Sequence, residues 1–208
     1  IYEQQENINA ALISYSVASR LIPDEPRMLA ATGRMHLRKR EFDKAVMSFG
    51  KALGQDPHNP RYLLELGKAY EGLTDYNSAL DIYHEVMKTN PQLWEAYYWA
   101  ARSYSKSGDH LKSVDMLNKA LERKENDPKI LTALGHEYRT SGQFPKAIDT
   151  FQEVAEGEGE MALDALRFIG VTYYQNLNEP NKAKRFLERY VKAGGDDPRV
   201  KELLAKIP

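Results

Sequence analysis

The side chains with the most reactive chemistry are spread thinly along the chain. The five histidines are separated by 22 or 26 residues, so in regular helices they fall on different faces and are not expected to meet at one metal ion. The chain has no cysteine, which excludes disulfides, thiolate nucleophiles and zinc–thiolate sites. We therefore expect neither a metal nor a cofactor. The histidines are His36, His58, His84, His110 and His136.

Two short segments look like parts of functional loops. Residues 157–159 read Gly-Glu-Gly, but a nucleotide-binding loop needs a lysine and a preceding strand, and neither is indicated in this segment. Residues 195–197 read Gly-Asp-Asp, but an aspartate directly before Pro198 is the usual N-cap of a helix. The chain also lacks Gly-x-Ser-x-Gly and His-Glu-x-x-His motifs. The sequence thus indicates a protein that is not an enzyme.

Residues suited to binding a partner are concentrated between positions 94 and 102. Trp94, Tyr97, Tyr98 and Trp99 precede Arg102, and aromatic residues beside arginine are typical of protein interfaces. Helical spacing puts Tyr97 on the core side and turns Tyr98 and Trp99 toward the surface that carries Arg102. In the alternative arrangement, Tyr98 only stacks on Arg102 four residues later.

These residues belong to a pattern that returns every 34 residues. Its clearest copy has Leu63, Gly67, Tyr70, Ala79 and Tyr83 at helical spacings. This spacing predicts two amphipathic helices per repeat, each burying its apolar face against neighbouring helices. Corresponding residues are Leu29, Gly33, Ala45 and Phe49 one repeat earlier; Tyr97, Ala101, Tyr104, Ser113 and Leu117 one repeat later; and Leu131, Gly135, Tyr138, Ala147 and Phe151 two repeats later.

Small residues at two positions of the repeat predict a close approach of its two helices. We expect the first set to face the second: Gly33, Gly67, Ala101, Gly135 and Gly170 against Ala45, Ala79, Ser113, Ala147 and Ala183. Prolines at positions 26, 60 and 128 are typical of helix starts, where a missing N–H is harmless. The Gly-rich segment 156–160 replaces such a start and predicts a looser or re-angled joint.

The pattern resembles the tetratricopeptide repeat over nearly the whole chain. The resemblance implies an all-α right-handed superhelix, an α-solenoid of antiparallel helix pairs, that acts as a non-enzymatic scaffold for protein–protein interaction. The chain opens in mid-repeat, as a fragment of a longer protein would, and residues 198–208 read as a capping helix. The predicted units of this single solenoid domain are a partial repeat over 1–25, full repeats over 26–59, 60–93, 94–127, 128–162 and 163–197, and the cap.

The resemblance also implies that first helices line a concave groove. At the outward positions of the five full repeats, ten residues are basic and four are acidic, although the net charge of the chain is -1. The acidic ones are Glu65, Glu71, Glu95 and Asp164. The basic ones are Arg27, Arg34, Arg38, Arg61, Lys68, Arg102, Lys106, Lys129, Arg139 and Arg167. Charge is therefore predicted to be segregated onto the groove.

Four of the groove positions are equivalent in consecutive repeats and predict a row of cations: Arg34, Lys68, Arg102 and His136. Such a row favours an extended or helical ligand with carboxylates. The predicted peptide-binding groove comprises Arg34, Lys68, Tyr98, Trp99, Arg102, Lys129, His136 and Arg139. In the alternative, each cation pairs internally, Lys68 with Glu65 or Glu71 and Arg102 with Glu95, which leaves a mixed solvated face.

The partner class follows from charge and from one family pattern. Related modules that clamp a chaperone's C-terminal carboxylate use five groove positions, of which only Lys129 matches in this chain, so that mode is disfavoured. We expect a protein or peptide with acidic residues, no nucleic acid, and no membrane insertion, since no long apolar run occurs. Homo-oligomer formation through the convex face or the ends, and a regulatory role within a larger enzyme, remain alternatives. The sequence leaves the compartment open, with the cytoplasm as the default.

Overall fold

The computed structural model describes residues 25–207 and, upstream, residues 7, 9, 10, 13–15 and 17, which are helical. Most of the predicted partial repeat over 1–25, including Tyr2, Ala11, Ala18 and Pro23, lies outside the described residues. From residue 25 to residue 207 the chain is all-helical. Its helices are α1 (Pro26–Arg38), α2 (Phe42–Gln55), α3 (Pro60–Gly72), α4 (Tyr76–Thr89), α5 (Trp94–Lys106), α6 (His110–Leu121), α7 (Pro128–Thr140), α8 (Phe144–Ala155), α9 (Glu160–Gln175), α10 (Pro180–Lys192) and α11 (Pro198–Lys206).

The chain forms two compact units, residues 1–109 (unit 1) and residues 110–208 (unit 2). Within each unit, every described helix packs against the next one along the chain. First helices of adjacent pairs also touch: α1 contacts α3 and α3 contacts α5 in unit 1, and α7 contacts α9 in unit 2. Equivalent positions of neighbouring repeats are thereby brought close together within each unit.

Side-chain caps fix where several first helices begin. The Asn59 side chain accepts hydrogen bonds from the backbone N–H groups of Arg61 and Tyr62 at 3.0 and 3.3 Å. Asp127 and Asp197 cap α7 and α11 in the same way. A proline follows each of these caps, and its fixed φ suits the first helical position.

The glycine of a first helix makes room for a large side chain of the second. A Cβ atom at Gly67 would lie 2.4 Å from Cε1 of Tyr83, whose ring is fully buried. The atoms nearest to Gly67 thus belong to the Tyr83 ring, one helical turn beyond the predicted partner Ala79. The nearest neighbours of the other first-helix glycines are Phe49 for Gly33, Phe151 for Gly135 and Leu187 for Gly170, where the carbonyl oxygen of the predicted partner Ala183 also lies at 3.3 Å.

The joint at residues 156–160 differs from the proline-capped starts. Helix α8 ends at Ala155, and α9 begins at Glu160 without a side-chain cap. Gly159, the residue before α9, has φ +86°, a conformation that favours glycine. Helix α9 has 16 residues where α7 has 13, so it extends toward this joint.

Helix α11 covers an apolar side of α10. Val200 and Ile207 are 2% and 5% exposed and share one hydrophobic cluster with Leu187 and Tyr190. The hydroxyl of Tyr190 also accepts a hydrogen bond from the backbone N–H of Asp197 at 3.0 Å, which ties the start of α11 to α10. This helix supplies one wall of a surface pocket in unit 2.

Candidate peptide-binding surfaces

Two cations from neighbouring repeats meet on Trp99 in unit 1. Nζ of Lys68 on α3 and Cζ of Arg102 on α5 each lie 4.6 Å from the centre of the Trp99 ring. Lys68 and Arg102 stand 34 residues apart, so this meeting confirms that equivalent side chains of these two repeats lie side by side. Together, Lys68, Trp99 and Arg102 form the Trp99 cluster.

Carboxylates of the same unit partly neutralise the cluster. Lys68 Nζ lies 2.9 Å from Glu65 Oε1, one of the internal pairs that the sequence allowed. Arg102 Nε lies 3.4 Å from Glu71 Oε1, and Lys106 Nζ lies 2.9 Å from the same oxygen. Glu71, not Glu95, is thus the carboxylate that pairs with Arg102. The side chain of Glu71 is only 4% exposed, so these two cations compensate a buried charge.

Tyr98 packs against the Trp99 ring of the cluster. Tyr98, predicted to turn toward the surface that carries Arg102, is only 8% exposed and packs edge-on against Trp94 and Trp99, with ring centres 6.1 and 5.5 Å apart. Such edge contacts suit the charge distribution of aromatic rings and let Tyr98 bury its large apolar area. Tyr97 is buried too, as predicted, and its hydroxyl donates to the backbone carbonyl of Pro91 at 3.1 Å.

Arg34 lies in a cleft between α1 and α3. The cleft has a volume of about 550 Å³ and is lined by Arg27, Arg34 and Arg61, together with Asn59, Pro60 and Tyr62. All three arginines are exposed, and among the described residues none of them pairs with a carboxylate. No acidic residue lines the cleft within the described part of the chain. This arginine cleft therefore combines three positive charges on one small surface.

In unit 2, His136 is a packing residue and not a further cation of the row. Its ring centre lies 5.2 Å from that of Phe151 and 4.5 Å from that of Phe168, both edge-on. Burial lowers the pKa of His136 below its usual value, and the neighbouring Arg139 lowers it further. At neutral pH the imidazole is thus held uncharged. Lys129 is exposed at the start of α7.

The same arrangement recurs in both units. Lys68 contacts an aromatic side chain of the next first helix, and His136 does so too, with Trp99 and Phe168 at equivalent positions of their repeats. Arg139 and Arg167 flank Phe168, with Cζ atoms 5.6 and 4.5 Å from its ring centre. The position of Phe168 lies within the outward set defined from sequence. An uncharged residue at that position adds nothing to the predicted row of cations, so the sequence does not mark Phe168 as a site residue.

A pocket of about 300 Å³ opens next to Phe168 in unit 2. It lies between α7, α9 and α11 and combines three arginines with an apolar lining. Sequence reasoning included only Arg139 of this pocket among the site residues. The contribution of α11 could not be foreseen, since that segment was interpreted only as a cap. The remaining lining residues are Arg167, Phe168, Val171, Gln175, Asp197, Arg199, Val200 and Leu203.

Other site types find no support in the described part of the chain. Among residues 25–207 and the few described upstream, no three His, Asp or Glu side chains are grouped as metal ligands would be. Nor does any helix there have both the length and the apolar character needed to cross a bilayer.

Comparison with known families identifies the class of protein that this fold defines. The tetratricopeptide repeat family model matches residues 71–136 and 138–207, which together are more than half of the chain. The chain belongs to the tetratricopeptide repeat family. None of the curated proteins matches it.

Solved structures share the fold at low sequence identity. PilF of Pseudomonas aeruginosa has a TM-score of 0.75 at 17% identity, over 99% of this chain and 92% of its own. MamA has a TM-score of 0.69 at 22% identity, over 81% and 91% of the two chains. YrrB, described as a TPR protein with an unusual peptide-binding site, has a TM-score of 0.66 at 19% identity, over 90% and 96%. These likenesses establish the helical repeat fold.

Proposed function

We propose that this chain is a non-enzymatic interaction module that binds an acidic segment of a partner protein on the first-helix surface of unit 1, formed by α1, α3 and α5. The observation that carries the proposal is the arginine cleft, where Arg27, Arg34 and Arg61 line one concavity without a carboxylate partner among the described residues. The similar fold of YrrB, described as having a peptide-binding site, supports the same class of function.

The charges of the cleft favour an anionic ligand. Three guanidinium groups on one surface repel each other, and a carboxylate placed among them relieves that repulsion. Guanidinium groups also bind carboxylates through paired hydrogen bonds. A charge-assisted bond contributes about 1.5–3 kcal/mol when shielded and much less in open solvent, so several contacts are needed for useful affinity.

The Trp99 cluster extends this surface beyond the cleft. Lys68 is equivalent to Arg34 one repeat later, and α1 contacts α3 directly. A peptide lying across successive helix pairs advances about 10 Å per repeat, or roughly three extended residues. Acidic residues about three positions apart would therefore meet Arg34 and then Lys68 or Arg102, with the Trp99 ring packing against the chain between them.

The test uses a fluorescein-labelled peptide with glutamate at every third position and alanine between. We expect the Arg27→Gln, Arg34→Gln, Arg61→Gln triple variant to bind it about tenfold more weakly or worse by fluorescence anisotropy, because charge-assisted contacts are lost. Affinity for the wild-type protein should also fall as salt rises.

The matched control removes three exposed lysines from the second helices α2 and α4, in the variant Lys44→Gln, Lys51→Gln, Lys88→Gln. Net charge falls by the same amount, yet we expect affinity within about twofold of wild type, because distant exposed charges are screened. Equal losses in both variants would mean that the peptide responds only to net charge, and the proposed site would be rejected.

A further inference from the structure

We propose that the pocket between α7, α9 and α11 is a second recognition site, which binds a partner segment where a carboxylate stands beside a large apolar side chain. The inference rests on the proposed function in assuming a protein ligand, but it uses different residues in a different unit. This pocket is called the unit 2 pocket.

Arg139 supplies the group that recognises the carboxylate. Its side chain is half-buried, and its Nε atom is buried without a hydrogen-bond acceptor among the described residues. Its guanidinium lies over the Phe168 ring, and no carboxylate of the described chain pairs with it. A buried N–H group without an acceptor is unfavourable, and so is a half-buried cation without a carboxylate partner. A ligand carboxylate in the pocket would supply the partner that the Arg139 charge lacks.

The neighbouring Arg167 differs from Arg139 because the chain itself supplies its carboxylate partners. One of its Nη atoms lies 2.7 Å from Asp164 Oδ1 and the other 3.9 Å from Asp197 Oδ2. Arg167 is thus balanced by the chain itself, and its Cζ atom lies 4.5 Å from the centre of the Phe168 ring. Arg199, which is exposed at the rim, also makes no side-chain ion pair among the described residues. The unit 2 pocket therefore keeps an excess of positive charge.

The lining next to these arginines is apolar. Phe168, Val171 and Leu203 are each partly exposed to the pocket, and Val200 is 2% exposed. A volume of about 300 Å³ is at the lower end of the range for ligand pockets, which suits a single large side chain and its backbone. Burial of that side chain removes apolar surface from water on both partners. The pocket can thus bind a negative charge and an apolar group that lie next to each other on the ligand.

A short labelled peptide tests both features. The probe is a fluorescein-labelled hexapeptide with a central Glu-Leu pair, alanine elsewhere and an amidated C-terminus, so that glutamate supplies its only peptide carboxylate. Replacing its glutamate by glutamine, or its leucine by alanine, should weaken binding to the wild-type protein, about tenfold for the charge and severalfold for the side chain.

Protein variants locate the binding. Arg139→Gln should reduce affinity for the parent hexapeptide about tenfold or more, and Leu203→Ala severalfold, while the arginine cleft triple variant binds like wild type. The exposed substitution Arg199→Gln gives a second readout, a smaller loss and a weaker salt dependence, without disturbing packing. Thermal unfolding of each variant checks that the fold is retained.

The outcomes separate this inference from the proposed function. The unit 2 pocket is rejected if Arg139→Gln binds as tightly as wild type, or if the parent hexapeptide binds no better than its Gln and Ala versions. Loss of binding in the cleft triple variant alone would place the hexapeptide in unit 1, which overturns the inference and leaves the proposed function standing. Weaker binding of the hexapeptide in Arg139→Gln and Leu203→Ala, but not in the cleft triple variant, supports the inference. This result does not depend on whether the arginine cleft binds its own peptide.

Discussion

Replacing Arg102 and Lys106 together with methionine is expected to lower the free energy of unfolding by about 3–5 kcal/mol, the usual cost of leaving a buried charge without its partners. Both cations meet Glu71 Oε1, and the Glu71 side chain is 4% exposed. Methionine keeps much of the aliphatic stem of each side chain, so the loss reports mainly on the uncompensated carboxylate. Urea unfolding followed by circular dichroism measures the change.

Two further variants make this expectation specific. Adding Glu71→Gln to the double variant should restore much of the lost stability, because the buried charge is then absent. The control Lys119→Met, Lys206→Met removes two cations whose carboxylate partners are exposed, and it should cost about 1 kcal/mol or less in total. A double variant at Arg102 and Lys106 as stable as this control would contradict the role assigned to Glu71.

Gly67→Ala is the second large effect, an expected loss of about 1–3 kcal/mol from overpacking. The added Cβ would lie 2.4 Å from Cε1 and 2.7 Å from Cζ of Tyr83. The Tyr83 ring has no exposed surface, so it cannot move aside without disturbing the core. This loss exceeds the gain of up to about 1 kcal/mol that alanine brings to a helix interior.

Gly50→Ala is the matched control, since it makes the same chemical change in another helix. Gly50 is exposed within α2, and no atom lies within 4 Å of its added Cβ. Only the helix preference then acts, and stability should rise by about 0.5–1 kcal/mol. Opposite signs for the two substitutions in thermal unfolding would support the close packing of α3 against α4. Equal effects would show that Gly67 is not in tight contact with Tyr83.

The fold was predictable from spacing because each repeat carries the same helical pattern. The tight contacts between the two helices of a repeat were less predictable. Periodicity shows that Gly67, Ala79 and Tyr83 all face inward, but it does not show which atoms lie nearest to the glycine. Their placement depends on the direction in which helical side chains lean and on how two antiparallel helices cross. The close approach of the Tyr83 ring to Gly67 is therefore a geometric detail that spacing alone does not contain.

For the candidate sites too, the sequence predicts the position of a residue in the repeat better than its contacts. Equal offsets correctly brought Lys68 and Arg102 together, because neighbouring first helices lie side by side. The choice of Glu71 over Glu95 as the partner of Arg102 depends on side-chain reach between helices. His136 holds an equivalent offset, yet Phe151 and Phe168 enclose its ring and burial suppresses its charge. Position in the repeat was thus predictable, whereas the charge state and pairing depended on neighbouring helices.

The most direct test of the proposed function observes the arginine side chains themselves. In ¹⁵N-labelled protein titrated with the peptide carrying glutamate at every third position, the Nε–Hε signals of Arg27, Arg34 and Arg61 should shift together and saturate at one affinity. Three unchanged signals at saturation, with shifts in the backbone amides of α2 and α4 instead, would contradict binding at the arginine cleft.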